Sequence, residues 1–387
     1  MNQYAEHNPN KAGNPFTGSA LRIIIAGGGT GGHLFPGVAV AQEFMARDPR
    51  NQVLFVSTGN AMERSVLAKA GFRLSTIPAE GIKGRDIFNQ ALSAAKIPWG
   101  VAASVRIIRA YRPDVVLGVG SYSSGPLVVG AWLMGITIAL HEQNMLPGMT
   151  NRLLFRFADR MFVSFENTRA GFNPAKVCFS GNPVRKEILA LAAAASKAPA
   201  AEPEKKARFQ VLILGGSQGA HPINMAVMEA LAHLEERDRF YFVHQSGIQD
   251  EAALKQAYRE TGVAGVVASF FDDMAHQYRQ ADLIICRAGA TTVAEISVAA
   301  KAVIFIPFPH AADNHQEFNA RALADTGAAE ILLQKDLDGR GLARRIKHYS
   351  ADPEALVRMS RKAGALGRPD AARIIVDECY RLALDKS

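Results

Sequence analysis

Short apolar runs alternate along the chain with segments whose apolar positions recur at helical spacing. Leu21-Arg-Ile-Ile-Ile-Ala26 reads as a buried strand; a glycine run follows, and Leu34–Met45 has the period of an amphipathic helix. The same alternation predicts strands at Gln52–Val56, Asp114–Gly118, Ile136–His141, Met161–Ser164 and Val177–Ser180. Helices are expected at Ala61–Ala70, from about Asn89 to Ala110, and at Pro126–Met134. Short strands interleaved with helices are the signature of parallel βαβ units.

Between Leu189 and Ala207 the pattern lapses into Ala, Lys, Glu and Pro; the Ala run suits a helix end, and the Pro-containing part suits a solvated linker. The theme then restarts. Phe209–Leu214 reads as a strand, Gly215–Gly219 as a glycine turn and His221–Leu234 as a helix. Further strands are expected at Phe240–His244, Leu283–Cys286 and Ala302–Pro307, with a closing helix at Glu378–Leu384. The expected organisation is a loose tail over residues 1–20, a Rossmann-like domain over 21–188, a linker over 189–207 and a second Rossmann-like domain over 208–387. The terminal helix is free to return to the first domain. The fold class is α/β, two doubly wound domains facing across a cleft, with ligands at the carboxyl ends of the strands.

Composition narrows the class. Of 387 residues, 48% are hydrophobic and 21% charged, which suits a globular chain able to bury real cores. The formal charge of +8 favours anionic partners: nucleic acid, phospholipid head groups or phosphorylated ligands. Cys178, Cys286 and Cys379 form no C-x-x-C pair, so a reducing compartment is expected. The first residues lack the apolar core of a signal peptide. The longest apolar stretch, Pro126–Leu140, is broken by Gly130 and Gly135 and is too short to span a bilayer.

The candidate chemistry lies in the glycine turns. Gly27-Gly-Gly-Thr-Gly-Gly32 leads from a strand into a helix, where backbone N–H groups and the helix dipole attract an anion. Its Gly-x-Gly-x-x-Gly spacing also fits a dinucleotide fingerprint. The acid that should end the second strand is absent, since that strand ends Phe55-Val56-Ser57-Thr58-Gly59, which disfavours a nicotinamide dehydrogenase. Gly215-Gly-Ser-Gln-Gly219 repeats the chemistry, with Ser217 as a hydroxyl donor to phosphate. In Cys286-Arg-Ala-Gly-Ala-Thr-Thr-Val-Ala-Glu295 two readings stand side by side. Thr292 and Glu295 have the spacing of a capping box, and Glu295 equally suits a bidentate acceptor for ribose hydroxyls. His33, just inside a helix N-terminus, suits a general base for a sugar hydroxyl or a packed, capping histidine. His141 and Glu142 end a strand and suit orienting roles.

No metal site is expected. Asp336-Leu-Asp338 and Asp272-Asp273 read as surface and loop residues, so backbone N–H groups and helix dipoles must stabilise a leaving diphosphate. In Ile82–Arg112, Ile87, Phe88, Leu92, Ile97, Trp99 and Val101 are interleaved with Lys83, Arg85, Lys96, Arg106, Arg109 and Arg112. That mixture suits an anionic membrane surface, or an ordinary amphipathic helix packed on the core.

In order, GGGTGGHLFPGVAVA, YRPDVVLGVGSYSSGP, HEQNMLPGMTNRLL, GNPVR, GGSQGAHPIN, FFDDM, CRAGATTVAEI and PFPHAADNHQEFNA closely resemble the MurG family. These stretches span Gly27 to Ala320. The resemblance implies the GT-B architecture and transfer of GlcNAc from UDP-GlcNAc to the C4 hydroxyl of undecaprenyl-diphosphate-linked MurNAc-pentapeptide (lipid I to lipid II), with inversion. It implies no metal or other cofactor and no nucleic-acid partner, and a peripheral place on the cytoplasmic face of the membrane. By matching motifs, Thr30, Gly31 and Gly32 would contact a diphosphate, and Asn144 and Arg185 would line the cleft. Ser217, the backbone near Phe271, the run Ala290, Thr291, Thr292, Val293, Ala294 and Glu295, and Gln316 would hold UDP-GlcNAc. Glu295 would take the ribose, Gln316 the sugar hydroxyls, and His33 would be the base candidate. The family pattern reads Gly-Gly-Tyr where this chain has Gly120-Ser121-Tyr122, a departure in the acceptor-side loop. A UDP-GlcNAc 2-epimerase and a non-catalytic nucleotide-sugar binder are the competing functions.

Overall fold

A computed structural model describes residues 20–79, 97–169, 171–197, 207–216 and 219–385. The first sheet is built from β1 (Arg22–Ala26), β2 (Gln52–Ser57), β3 (Arg73–Thr76), β4 (Val115–Gly118), β5 (Thr137–Glu142), β6 (Arg160–Val163) and β7 (Val177–Phe179). Its order is β3-β2-β1-β4-β5-β6-β7, with every pair parallel. The second contains β8 (Phe209–Leu214), β9 (Phe240–Gln245), β10 (Gly265–Ala268), β11 (Leu283–Cys286), β12 (Val303–Phe305) and β13 (Glu330–Ile331). Its order is β10-β9-β8-β11-β12-β13, again parallel throughout. Both orders reverse beside the first strand of the sheet, which places a crevice there at the carboxyl ends.

The helices are α1 (Gly31–Arg47), α2 (Ala61–Lys69), α3 (Ile97–Tyr111), α4 (Ser124–Leu133), α5 (Met149–Leu154) and α6 (Lys186–Lys197). In the second body they are α7 (His221–Ala232), α8 (Glu251–Thr261), α9 (Met274–Gln280), α10 (Ala290–Val298), α11 (His315–Ala324), α12 (Gly339–Ala351), α13 (Pro353–Leu366) and α14 (Ala371–Leu384). The central strands are apolar throughout because helices cover both faces; Ile23, Ile24 and Ile25 on β1 are all fully buried.

Three strands escape the apolar pattern. β3, with sequence Arg-Leu-Ser-Thr, is an edge strand exposed at both ends. β10 is the opposite kind of edge, with Gly265 and Val266 exposed, and β13 has only two residues. The expected linker is also partly helical. α6 extends through the Ala-rich run to Lys197, as the helix propensity of Ala favours. It seats Ile188 in the second body's core; residues 198–206 lie outside the described residues.

The chain crosses between the bodies over residues 180–185 and again over 367–370. The two crossings touch: a Cβ on Gly181 would lie 2.4 Å from the Cβ of Arg368. After the second crossing, α14 returns to the first body. Ile375, Val376, Cys379 and Tyr380 join the core formed by Leu34, Phe44 and Phe55. Tyr380 stacks on Phe44 at 5.5 Å, and its hydroxyl accepts a 2.7 Å hydrogen bond from the Asn51 amide. None of the three cysteines forms a disulfide, and burial pushes the Cys286 and Cys379 thiols well above their ordinary pKa.

Both tryptophans, Trp99 and Trp132, belong to the first body, so their fluorescence reports on its unfolding. Ile375→Ala, though distant in sequence, should cost that body about 2–5 kcal/mol. The loss should be read as a lower urea midpoint in tryptophan fluorescence; an unmoved midpoint would show that α14 does not hold the first body together.

Candidate active site

Two helix N-termini meet at the mouth of the crevice. α1 starts after Thr30, whose extended backbone (φ −131°) marks the N-cap but whose side chain makes no cap. α10 starts after Gly289 and is equally uncapped. Neither has an acidic residue in its first turn. α7, which follows the second glycine turn, shares both traits. Asn60, Asp273, Asp338 and Asp352 cap their own helices with side-chain hydrogen bonds. At the N-termini of α1, α7 and α10 the free N–H groups and the positive ends of the dipoles are open to an external anion. Between them lies a cleft of about 390 Å³, lined by Thr30, Gly31 and Gly32 on one side and Gly216, Thr291 and Thr292 on the other. The rims touch where the Thr291 hydroxyl donates to the Gly32 carbonyl at 3.1 Å.

The first glycine turn divides its work. Glu63 of α2 is buried beneath it and accepts hydrogen bonds from the N–H groups of Gly29 (2.5 Å) and Asn60 (2.8 Å) and from the Ser57 hydroxyl (2.8 Å). A Cβ on Gly28 would lie 2.0 Å from the Glu63 carboxylate. Part of the turn therefore binds an anion that the protein supplies itself, which corrects the expectation that all of Gly27–Gly32 faces a ligand. At Gly32 nothing stands closer than 3.7 Å to an added Cβ.

In the second turn, Gly216 lines the cleft, while Ser217 lies outside the described residues. Gln245, at the end of β9, organises this wall: its amide donates to the Gly216 carbonyl at 3.0 Å and accepts from the Phe271 N–H at 3.2 Å. The Phe271 N–H is thereby engaged internally, and its neighbour Phe270 lines the cleft.

α10 begins three residues before the position a Thr292–Glu295 capping box requires. Thr292 is consequently inside the helix, and Glu295 caps nothing. Instead the buried Glu295 carboxylate takes a bidentate bond from Arg185 (Nε–Oε1 2.7 Å, Nη2–Oε2 2.9 Å) and a third from the Tyr278 hydroxyl at 3.2 Å. Burial opposes the charge on Arg185, but the Glu295 carboxylate outweighs it and holds the guanidinium pKa above its usual value. Arg185 also lies 5.2 Å from the centre of the Phe35 ring on α1. Helical rotation sorts the rest of the run. Ala290, Thr291, Thr292 and Glu295 line the cleft, whereas Val293 and Ala294 face a separate cavity of about 330 Å³ behind α10.

Arg287 also lines the cleft and was not singled out by spacing. Its hydrogen-bond partners among the described residues are neutral: the carbonyls of Ile306 and Pro307 and the Gln334 amide. Burial lowers its pKa to about 10, leaving a cation at neutral pH without a carboxylate partner. Only its place directly after β11 distinguishes it in the sequence.

His33 stands beside the ends of β4 and β5. Its Nδ1 is 3.1 Å from the Val119 carbonyl and 3.0 Å from Gln143 Oε1. A Cβ on Gly120 would crowd Nδ1 at 3.0 Å. Ser121 follows with φ +69°, a conformation that favours glycine, and its hydroxyl pairs with that of Ser123 at 2.8 Å. Glu142 is a loop organiser, accepting from the N–H groups of Asn144 and Gly148 and from the Asn151 amide, each at 2.9 Å.

Asn144 and Gln316 are not among the residues lining the cleft. Asn144 Oδ1 accepts from the Asn319 amide at 3.1 Å, and Asn319 Oδ1 accepts from the Met145 N–H at 2.9 Å, tying the two bodies together. Gln316 Oε1 accepts from the Phe308 N–H at 3.0 Å. Asp338 caps α12, Asp273 caps α9, and Asp272 pairs with Lys69.

On the basic-apolar segment, α3 buries Gly100, Ser104 and Ile108 at helical spacing, as a packed helix does. Trp99, at its start, is 73% exposed, and Trp132 and Leu133 at the end of α4 are also exposed. Lys83, Arg85, Ile87, Phe88, Leu92 and Lys96 lie outside the described residues. Among those described, no helix is long and apolar enough to cross a membrane.

Models of the glycosyltransferase family 28 N-terminal and C-terminal domains match residues 23–163 and 210–375. The chain is 46% identical over 362 residues to the UDP-N-acetylglucosamine--N-acetylmuramyl-(pentapeptide) pyrophosphoryl-undecaprenol N-acetylglucosamine transferase of Geotalea uraniireducens, covering 93% of this chain and 98% of that one. It is 48% identical to the protein of the same name from Syntrophus aciditrophicus, covering 94% and 99%. Among solved structures, Acinetobacter baumannii MurG superposes with a TM-score of 0.75 at 31% identity, covering 93% and 99%. A UDP-GlcNAc 2-epimerase from Neisseria meningitidis shares the fold, with a TM-score of 0.64 at 14% identity over 95% and 100% of the two chains.

Two glycines of the first turn should respond oppositely to a methyl group. Gly28→Ala should displace the Glu63 carboxylate and cost about 1–3 kcal/mol. Gly32→Ala should leave stability unchanged or gain up to about 1 kcal/mol, as alanine does inside a helix. Urea titration followed by tryptophan fluorescence separates them, and equal midpoints would refute the division of the turn.

Proposed function

Because the chain belongs to the MurG family of glycosyltransferase family 28, we propose that it transfers GlcNAc from UDP-GlcNAc to the C4 hydroxyl of MurNAc-pentapeptide on undecaprenyl diphosphate, a step of peptidoglycan synthesis. The observation that carries this reading is the convergence of the uncapped N-termini of α1 and α10 on one cleft, with His33 in the first turn of α1.

The second body holds the donor. Free N–H groups at the start of α10 and the Arg287 guanidinium receive the diphosphate, and Glu295 receives the ribose hydroxyls. Ser217 and Gln316 complete that side as the motifs assign them. Thr30, Gly31 and Gly32 face the acceptor's diphosphate. The acceptor C4 oxygen attacks C1 of GlcNAc as the bond from C1 to the diphosphate oxygen breaks. His33 takes the hydroxyl proton, UDP carries away the bonding pair, and a single displacement inverts the anomeric centre. Helix N-termini and Arg287 stabilise the charge growing on the leaving diphosphate. The first body meets the acceptor at the membrane: Trp99, Trp132 and Leu133 enter the interface, and Arg106 and Arg109 face anionic head groups. On this reading the protein is peripheral and works on the cytoplasmic face.

UDP release from UDP-GlcNAc should require a lipid I analogue. Turnover without acceptor, yielding an epimerised sugar, would favour an epimerase, and no release in either case would favour a binder. His33→Ala should lower kcat by about 10²- to 10⁴-fold with donor affinity retained; equal loss of both would remove the general-base role. Binding to anionic vesicles should weaken with salt and with Trp99→Ser combined with Arg106→Gln. Vesicle binding indifferent to both would end the membrane reading.

A further inference from the structure

Directions of hydrogen bonds around His33 can be read from groups that can only accept. The Ser164 hydroxyl donates to the Glu142 carbonyl at 2.9 Å, so towards His141 its oxygen acts as an acceptor. His141 Nε2, 3.3 Å away, therefore carries the ring proton and leaves Nδ1 bare. That bare nitrogen accepts from Gln143 Nε2 at 3.0 Å. The same Nε2 donates its other hydrogen to the Val119 carbonyl at 2.8 Å. Two acceptors thus fix the Gln143 amide in one orientation, and its Oε1 faces His33 Nδ1 at 3.0 Å. The Val119 carbonyl, 3.1 Å from Nδ1, requires the same proton placement. His33 Nε2 has no hydrogen-bond partner among the described residues, and the ring is half-buried.

We propose that Gln143 is a positioning residue for the transfer: its amide holds the His33 proton on Nδ1 and presents a bare Nε2 to the acceptor hydroxyl. The reading rests on His33 as general base. His141 is the anchor of the relay. Burial, only partly offset by a hydrogen bond with the Gly181 backbone, lowers its pKa to about 3, so the ring stays neutral and its Nδ1 stays an acceptor. A protonated His141 would turn a hydrogen towards Gln143 Nε2, reverse the amide and present a donor to His33. The Glu142 carboxylate does not join the relay, since it is occupied by the loop from Asn144 to Asn151. An amide at position 143, rather than a carboxylate, sets the tautomer without adding a negative charge that would raise the basicity of His33 and hold it protonated.

The test combines Gln143→Leu and Gln143→Glu with ¹⁵N NMR of the His33 ring and steady-state kinetics. In the unaltered protein the His33 signals should report a single tautomer, protonated at Nδ1. Gln143→Leu should give a tautomer mixture and lower kcat about 10- to 100-fold, with KM for both substrates retained. Gln143→Glu keeps the acceptor for Nδ1–H and should keep the tautomer while moving the acid limb of the kcat–pH profile to higher pH. It also carries the test if the leucine variant fails to fold. A pure Nδ1–H tautomer in Gln143→Leu, an undiminished kcat, or an unshifted acid limb in Gln143→Glu would overturn the proposal. Full turnover in His33→Ala would instead refute the base assignment, while the NMR result would still decide whether Gln143 governs the ring.

Discussion

The Arg185–Glu295 pair sets the geometry on which the cleft depends. Arg185 stands where the chain first leaves one body for the other, packs against Phe35 of α1 and grips Glu295 of α10 with both forks of its guanidinium. A buried ion pair contributes little net stability, because desolvation offsets most of its attraction. Its value here is positional: two planar groups matched edge to edge fix the rotation of α10, and hence which of its side chains face the cleft. A ribose approaching Glu295 meets a carboxylate whose lone pairs already hold Arg185 and Tyr278. In the proposed donor role, a ribose would have to share or displace them, which would link recognition of the nucleoside to a contact between the bodies.

Electrostatic function in this fold is made largely by omission. Asn60, Asp273, Asp338 and Asp352 satisfy the N-termini of their own helices. At α1, α7 and α10 the chain leaves the N–H groups free, and a diphosphate can replace the missing side chains. Arg287 follows the same logic: its partners are neutral, so its charge is available to a ligand.

Periodicity made most of the fold legible. Apolar strands with a glycine turn after β1 and β8 specify two parallel bodies, whereas β3, β10 and β13 escaped because edge strands need no unbroken apolar run. The site was legible where chemistry lies within one turn, as at Thr30–Gly32 and Thr291–Thr292. It was illegible where the cause is distant in sequence. Gly28 is small because Glu63 lies against it, Gln143 matters through His33, and Asn319 through Asn144. The motif run Ala290–Glu295 was too generous for a simpler reason. A helix turns 100° per residue, so contiguous residues cannot all face one ligand, and Val293 and Ala294 face away. The sequence resemblance assigns importance to the whole run, but only the helix separates its two faces.

The return of α14 has a consequence for how the protein is made. The second body spans a continuous stretch of chain, and its core closes once residues through α13 have emerged from the ribosome. The first body is begun first but cannot be finished then, because Ile375, Val376, Cys379 and Tyr380 are translated after the whole of the second body. Until they arrive, Leu34, Phe44 and Phe55 lack part of their cover. The usual order of domain maturation, N-terminal first, is therefore reversed here. The first body reaches its final form only after the second, beside a neighbour already complete.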